Sequence, residues 1–324
     1  MRTHLKKLTM IAAIAAMATL LLAGCNFLNL GSGTVTLNMT DAPVDGGNIA
    51  GVYLSISEIQ YNQSSPDGED DGEWVTVPDF EPTEPFNLLD LTGGQFKALG
   101  DLTFDAGTLY QIRFILEDVD ERGAGRPTNP GSYVELSDGT KEALFVPSGA
   151  QTGYKAVTED GIAIPRNETI TLTADFDVRK ALVNAGGDYL LKPTIRLIAD
   201  SEAGTIAGTL SNMDTNAHQY TVYVYEDGSY DSSEAADPSS DTEVRFPNAV
   251  SSYTVKADSA SSGDYALAYL AAGDYDLYVA KFNPDGDNDG QPDYVGVDAG
   301  PADRTVSAGQ DTTADIDVGA LSFQ

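Results

Sequence analysis

The sequence predicts an all-β fold, with two antiparallel β-sandwich domains in tandem behind a secretory leader. Three observations carry this. Apolar and polar residues alternate at period two in segment after segment, turn residues punctuate those segments at short intervals, and no long stretch has the 3.6-residue period of an amphipathic helix. The chain has 324 residues, which after loss of a leader is enough for about two cores of ordinary size.

Residues 1–24 have the order of a secretory signal. Arg2, Lys6 and Lys7 precede an apolar run over 8–22, broken only by Thr9 and Thr19, and Leu22-Ala23-Gly24-Cys25 follows. The run is short for a spanning helix, which needs roughly 20 residues. Leu-Ala-Gly-Cys resembles the lipobox of bacterial lipoproteins. The resemblance implies cleavage before Cys25, acylation of Cys25 and a membrane anchor. An ordinary signal peptide with a chance cysteine is the alternative, and it is disfavoured because Cys25 is the only cysteine in the chain. Asn26 stands where many inner-membrane lipoproteins carry Asp, so by the same analogy the expected location is the cell envelope, at the outer membrane. Residues 25–32 read as a tether.

The first predicted domain covers 33–199. Val35, Leu37 and Met39 alternate with Thr36, Asn38 and Thr40 up to the turn Asp41-Ala42-Pro43. Val52, Leu54 and Ile56 alternate with Tyr53, Ser55 and Ser57. The acidic, glycine-containing residues 64–73 form a loop before the strand Trp74-Val75-Thr76-Val77. Tyr110, Ile112, Phe114 and Leu116 share one face while Ile115 adds an apolar residue to the other, as in a central strand. Ser137-Asp138-Gly139-Thr140 is a hairpin turn between two apolar runs. Ile170, Leu172, Ala174, Phe176 and Val178 alternate again, and residues 190–198 close the unit.

Six segments in this region carry a resemblance. Thr40-Asp41-Ala42-Pro43, Asn87-Leu88-Leu89-Asp90-Leu91, residues 107–116, Val146-Pro147-Ser148-Gly149 with Gly153-Tyr154-Lys155, Asp175-Phe176-Asp177, and residues 189–196 occur in the order found in the bacterial family called domain of unknown function 4382. That resemblance implies a secreted or lipid-anchored β-rich domain with no established activity. Asp41, Asp175 and Asp177 are candidate cation ligands. Acids at strand ends more often make turn hydrogen bonds or face solvent, and that is the expectation here.

Residues 200–203 read as a linker into a second domain over 200–324. Its residues Gly263-Asp264-Tyr265-Ala266-Leu267 and Leu270-Ala271-Ala272-Gly273-Asp274-Tyr275, with Ala308-Gly309-Gln310-Asp311-Thr312 before the last strand, resemble the carboxypeptidase regulatory-like, transthyretin-like sandwich. Such modules are widespread non-catalytic appendages, which is what the resemblance implies.

Composition excludes several chemistries. Eighteen Lys and Arg face 50 Asp and Glu, a net charge of −32, and loss of Arg2, Lys6 and Lys7 with the leader would take it to −35. Polyanions such as nucleic acid are repelled at long range, so no nucleic-acid partner is expected. One cysteine and two histidines rule out a disulfide framework and a multi-histidine zinc site. His218 stands beside polar residues without a Gly-x-Ser-x-Gly elbow and is assigned no role.

The sharpest motif is Asp285-Gly286-Asp287-Asn288-Asp289-Gly290-Gln291-Pro292-Asp293. Hard cations need several oxygen ligands around one point. Asp285, Asp287, Asp289, the Gln291 carbonyl and Asp293 supply them at alternate places, so Ca²⁺ is the expected cofactor. The loop resembles those of thrombospondin type 3 repeats. It departs from an EF-hand in having Gly296 at the twelfth place and no predicted flanking helices. The competing reading is an acidic hairpin tip. Tyr223, Tyr225, Tyr265, Tyr269, Tyr275 and Tyr278 form either an exposed sugar-stacking face or, more often for such residues, cross-strand packing. The function read from all this is a non-catalytic, lipid-anchored envelope protein that binds a protein or carbohydrate ligand or serves envelope architecture. The alternative is a carboxylate-based hydrolase such as a glycosidase, which would need two carboxylates facing each other across a deep pocket.

Overall fold

The computed structural model describes residues 31–42, 48–65, 72–116, 131–145, 152–184, 189–192, 195–238, 243–255, 261–283 and 292–324. Before residue 200 these form β1 (Ser32–Ala42), β2 (Ile49–Leu54), β3 (Ile56–Asn62), β4 (Val75–Thr76), β5 (Phe86–Asn87), β6 (Lys97–Asp105), β7 (Gly107–Leu116), β8 (Tyr133–Leu136), β9 (Lys141–Phe145), β10 (Tyr154–Ile164), β11 (Thr169–Asp177), the one-turn helix α1 (Val178–Ala181), β12 (Leu182–Asn184), β13 (Tyr189–Leu191) and β14 (Ile195–Ala199). After it come β15 (Ala203–Ser211), β16 (Gln219–Glu226), β17 (Ser251–Val255), β18 (Gly263–Ala271), β19 (Gly273–Asn283), β20 (Asp293–Ala299), β21 (Arg304–Val306), β22 (Asp311–Thr313) and β23 (Ile316–Asp317).

The strands before residue 200 make two sheets, ordered β4-β3-β7-β10-β14-β11-β1-β6 and β12-β13-β9-β8-β2-β5. Period-two alternation decides what lies between them. Val35, Leu37 and Met39 of β1, Leu172, Ala174 and Phe176 of β11, and Ile112 and Phe114 of β7 gather with Val52, Val134 and Leu144 of the smaller sheet in one apolar cluster. Each such side chain contributes about 1.5–3 kcal/mol by leaving water. As expected of a central strand, β7 lies between β3 and β10. The Asp-Gly turn joins β8 to β9, with Gly139 at φ +84° and the Thr140 amide donating to Asp138 Oδ1 at 2.8 Å.

After residue 200 the sheets are β18-β15-β22, with β23 also beside β15, and β17-β16-β19-β20, with β21 beside β19. Ile206, Leu210, Val222, Val224, Leu267 and Leu277 belong to one cluster. Tyr223, Tyr225, Phe246, Ala280 and Phe282 form a second. Alternate residues of β16 enter different clusters, so this strand is buried on both faces. Gly208 permits the closest approach, since a β-carbon there would collide with the Ala314 carbonyl.

The all-β expectation holds, and most pairings are antiparallel. Strand direction is nevertheless mixed: among the described residues β1 runs parallel to β11, β10 to β14, β13 to β9, and β15 to both β22 and β23. Parallel pairs need long crossovers, which alternation within single strands does not reveal.

The edge strand β6 is shielded at one end. The Thr103 amide and hydroxyl donate to Asp79 Oδ2 at 3.0 and 2.7 Å, and the Asp105 amide donates to the Tyr61 hydroxyl at 3.0 Å. These side chains occupy groups that would otherwise template another strand. Among the described residues no helix is long and apolar enough to cross a membrane.

Candidate functional site

The outer face of the larger sheet is polar where β14, β11 and β1 lie together. Alternation sets Asn38, Thr40, Thr173 and Asp175 opposite the core, yet each is at most 6% exposed. The strands after residue 200 cover them: β17 packs against β1, and Tyr269 bulges out of β18 between the Gly204–Leu270 and Ile206–Leu267 pairs. Tyr269 takes φ +57°, and the bulge brings it against Thr173 and Asp175.

The charged residues here are tied to one another. Asp41 Oδ1 accepts from the Val178 amide at 3.0 Å, and Asp177 Oδ1 accepts from the Lys180 amide at 3.1 Å. The two carboxylates, from the ends of the parallel strands β1 and β11, thus cap the first turn of α1. Asp175 pairs with Arg196 across the β11–β14 ladder. Burial raises the Asp175 carboxyl above its ordinary value, with the Arg196 guanidinium opposing the rise. Asp177 makes the expected local turn bond, Asp41 instead bonds an amide 137 residues away, and Asp175 is the carboxylate of a buried ion pair.

α1 carries two cations that join the halves of the chain. Arg179 Nη1 donates to the Arg245 and Phe246 carbonyls at 2.9 and 3.0 Å, with the guanidinium 5.6 Å from the centre of the Tyr223 ring. Lys180 Nζ donates to the Ala249 carbonyl at 2.7 Å and pairs with Asp177 at 3.2 Å. Burial lowers the Lys180 pKa, and the Asp177 charge works against that. The sequence reading missed both residues. Its available signal was a pair of adjacent cations directly after an acid-ended strand in a chain poor in bases.

Beside this joint lies a cleft of about 240 Å³, counted with its open mouth, between Thr40, Asp41 and Asp175 on one side and Ser251, Ser252 and Tyr269 on the other. Its enclosed part has room for about one water molecule, far less than an ordinary ligand pocket offers.

The predicted calcium ligands Asp285, Asp287, Asp289 and Gln291 lie outside the described residues, as does Cys25. Asp293 is exposed at the start of β20 and pairs in register with Asn283 at the end of β19, so the acidic loop connects two antiparallel neighbours. A different acidic group is assembled by the fold: carboxylate oxygens of Asp227, Asp276 and Asp303 lie within 4.8 Å of one another. Asp276 already accepts from the Gly228 and Asp303 amides at 3.1 and 3.2 Å, which ties two turns together. The tyrosines do not make an exposed face. Tyr223, Tyr225, Tyr265 and Tyr275 are at most 4% exposed, and Tyr278 stacks on Tyr230 with ring centres 3.9 Å apart.

The class defined so far is an all-β protein of stacked mixed sheets joined through a buried polar seam. Residues 32–193, half of the chain, match the family model described as domain of unknown function DUF4382, and the chain belongs to that family. No curated protein matches it. Among solved structures, a leucine-rich repeat protein from Bacteroides thetaiotaomicron is 10% identical, with 89% of this chain and 26% of that one covered and a TM-score of 0.26. The chain thus spans about a quarter of that protein's length. A candidate cell adhesion protein from Bacteroides ovatus is 10% identical over 90% of this chain and 94% of its own, with a TM-score of 0.22. For the fimbrial anchor protein Mfa2 from Porphyromonas gingivalis the values are 10%, 80%, 80% and 0.18. Scores this low define no common architecture.

Proposed function

We propose that this chain is a non-catalytic protein of the cell envelope, held to a membrane through acylated Cys25, with a binding or architectural role outside the cytoplasm. The observation that carries the non-catalytic reading is the use made of the buried carboxylates. Asp41 accepts from Val178, Asp175 is paired with Arg196, and Asp177 is paired with Lys180, beside a cleft too small for a substrate-sized ligand. Acids committed in this way hold a fold together. The anchor reading rests on Leu22-Ala23-Gly24-Cys25, and the outer membrane is its expected site. Residues 33–199 and 200–324 are read as two domains because their apolar clusters are separate. The oxygen donors of Asp285, Asp287, Asp289, Gln291 and Asp293 suit a hard cation, and Ca²⁺ bound there would stiffen the β19–β20 connection.

The test is fractionation of cells expressing the full chain and its Cys25→Ala variant, with mass spectrometry of the mature N-terminus. Acylated Cys25 in the membrane fraction, and release of the variant from it, is the expected result. A variant that stays membrane-bound as the parent does overturns the anchor.

A further inference from the structure

The outer face of the larger sheet has a second region, over β3, β7 and β10, with quite different chemistry. Register sets Gln60 opposite Arg113 and Arg113 opposite Lys155, so the three stand in a row on one face, while their neighbours Tyr61, Ile112 and Ala156 turn into the core. Trp74, the only tryptophan in the chain, lies half-buried against that row. The Arg113 guanidinium carbon is 4.1 Å from the centre of its ring, and Lys155 Nζ is 5.4 Å away. Val157, next on this face of β10, is 40% exposed.

Arg113 is held in place. Its Nε donates to Gln60 Oε1 at 2.6 Å, and the Gln60 amide is turned by Glu58 and Thr76, whose hydroxyl donates to Glu58 Oε1 at 3.0 Å. The fork thereby oriented makes no ion pair among the described residues, and neither does exposed Lys155. With 50 acids in the chain against 18 bases, two neighbouring cations are an inversion of the local balance, and Glu58 is the carboxylate whose charge acts on Arg113.

We propose that Trp74, Arg113 and Lys155 bind a glycan through a single uronic acid residue. This deepens the envelope-binding reading and rests on it. A uronate offers each feature the patch can use: a C–H ring face for Trp74, a carboxylate for the Arg113 fork and Lys155, and hydroxyls that donate to Glu58. A neutral hexose brings no charge to Arg113 and Lys155, and a bare carboxylate brings no apolar face to the indole. A dense polyanion is repelled by the rest of the molecule along its whole length, whereas one uronate among neutral sugars meets only the local cations.

The experiment is calorimetric titration of the full chain with glucuronosyl-xylotriose, with xylotriose and a hexaglutamate peptide as comparison ligands. Trp74→Ala, Arg113→Gln and Lys155→Gln are titrated alongside, after thermal melting has shown that they are folded. The expected result is binding of the acidic oligosaccharide by the parent, weakened roughly tenfold in Trp74→Ala and Arg113→Gln and less in Lys155→Gln. No binding, equal binding of the neutral oligosaccharide, tighter binding of the peptide, or binding unchanged in folded variants each overturns the proposal. The Cys25 fractionation is independent of these outcomes, so loss of the glycan site with an intact anchor overturns this assignment alone.

Discussion

Arg179 Nη1 lies 3.0 Å from the Phe246 carbonyl oxygen, a bond between residues 67 positions apart that ties the α1 turn to the strands after residue 200. The guanidinium has a side-chain exposure of 2%. Arg179→Ala leaves the Arg245 and Phe246 carbonyls without this donor and is expected to cost about 3 kcal/mol. Arg179→Lys restores a charge without the planar fork and is expected to recover only part of that. Urea denaturation of the three chains measures both differences.

Asp79 guards the β6 edge, and Asp79→Ala uncovers the Thr103 amide. The expected cost in stability is small, about 1 kcal/mol, because the site is exposed. The larger expected effect is concentration-dependent self-association, read by light scattering. Burial pushes the Asp79 carboxyl up, but the Thr103 hydroxyl and amide outweigh it and hold it below the usual carboxylate range. Its contribution is therefore present above the unfolded-state pKa, about 3.9, and lost as pH falls through the folded value.

Asp175 has the opposite sign. Burial raises its carboxyl, so the folded chain holds this proton more tightly than the unfolded chain does. Its protonation favours the fold below the unfolded-state pKa, and that contribution disappears as pH rises through the raised folded value. Asp175→Asn removes this pH dependence and leaves Arg196 without its charge partner. Melting curves across the acidic range are expected to show the variant flatter with pH, with the parent losing stability relative to it as pH rises through the raised Asp175 value.

Millimolar Ca²⁺ is expected to raise the melting temperature of the full chain, and the double substitution Asp287→Ala with Asp289→Ala to abolish the shift. Differential scanning calorimetry with and without chelator reads this directly. An unchanged parent melting temperature means the loop is only an acidic hairpin tip.

The strands and their core faces were legible in the sequence because alternation is a local property. Val35, Leu37, Met39, Leu172 and Phe176 point inward as their spacing predicts. Asn38, Thr40 and Thr173 alternate just as regularly, and by pattern alone they belong to a wetted face. They are buried because a second pair of sheets rests on them, a fact carried by residues about 80 to 230 positions away and by nothing in β1 itself. Tyr223 and Tyr225 are buried for a related reason, since Tyr230, Ala235, Phe246 and Ala249 pack over the back of β16. The Trp74, Arg113 and Lys155 patch depends on register across three strands. Only the lone tryptophan hinted at it.

The parallel ladders set an order of events in synthesis. Thr34 pairs with Thr169, so β1 cannot complete its sheet until 135 further residues have emerged. Leu210 likewise waits for Ile316, 106 residues on. In each half the first strand is fastened by one of the last, as a clasp closes a chain. Closure is governed by long-range pairing and is correspondingly slow. A chain emerging from its N-terminus presents β1 without its parallel neighbour until β11 has followed, and a holding partner would shield that strand until the clasp arrives.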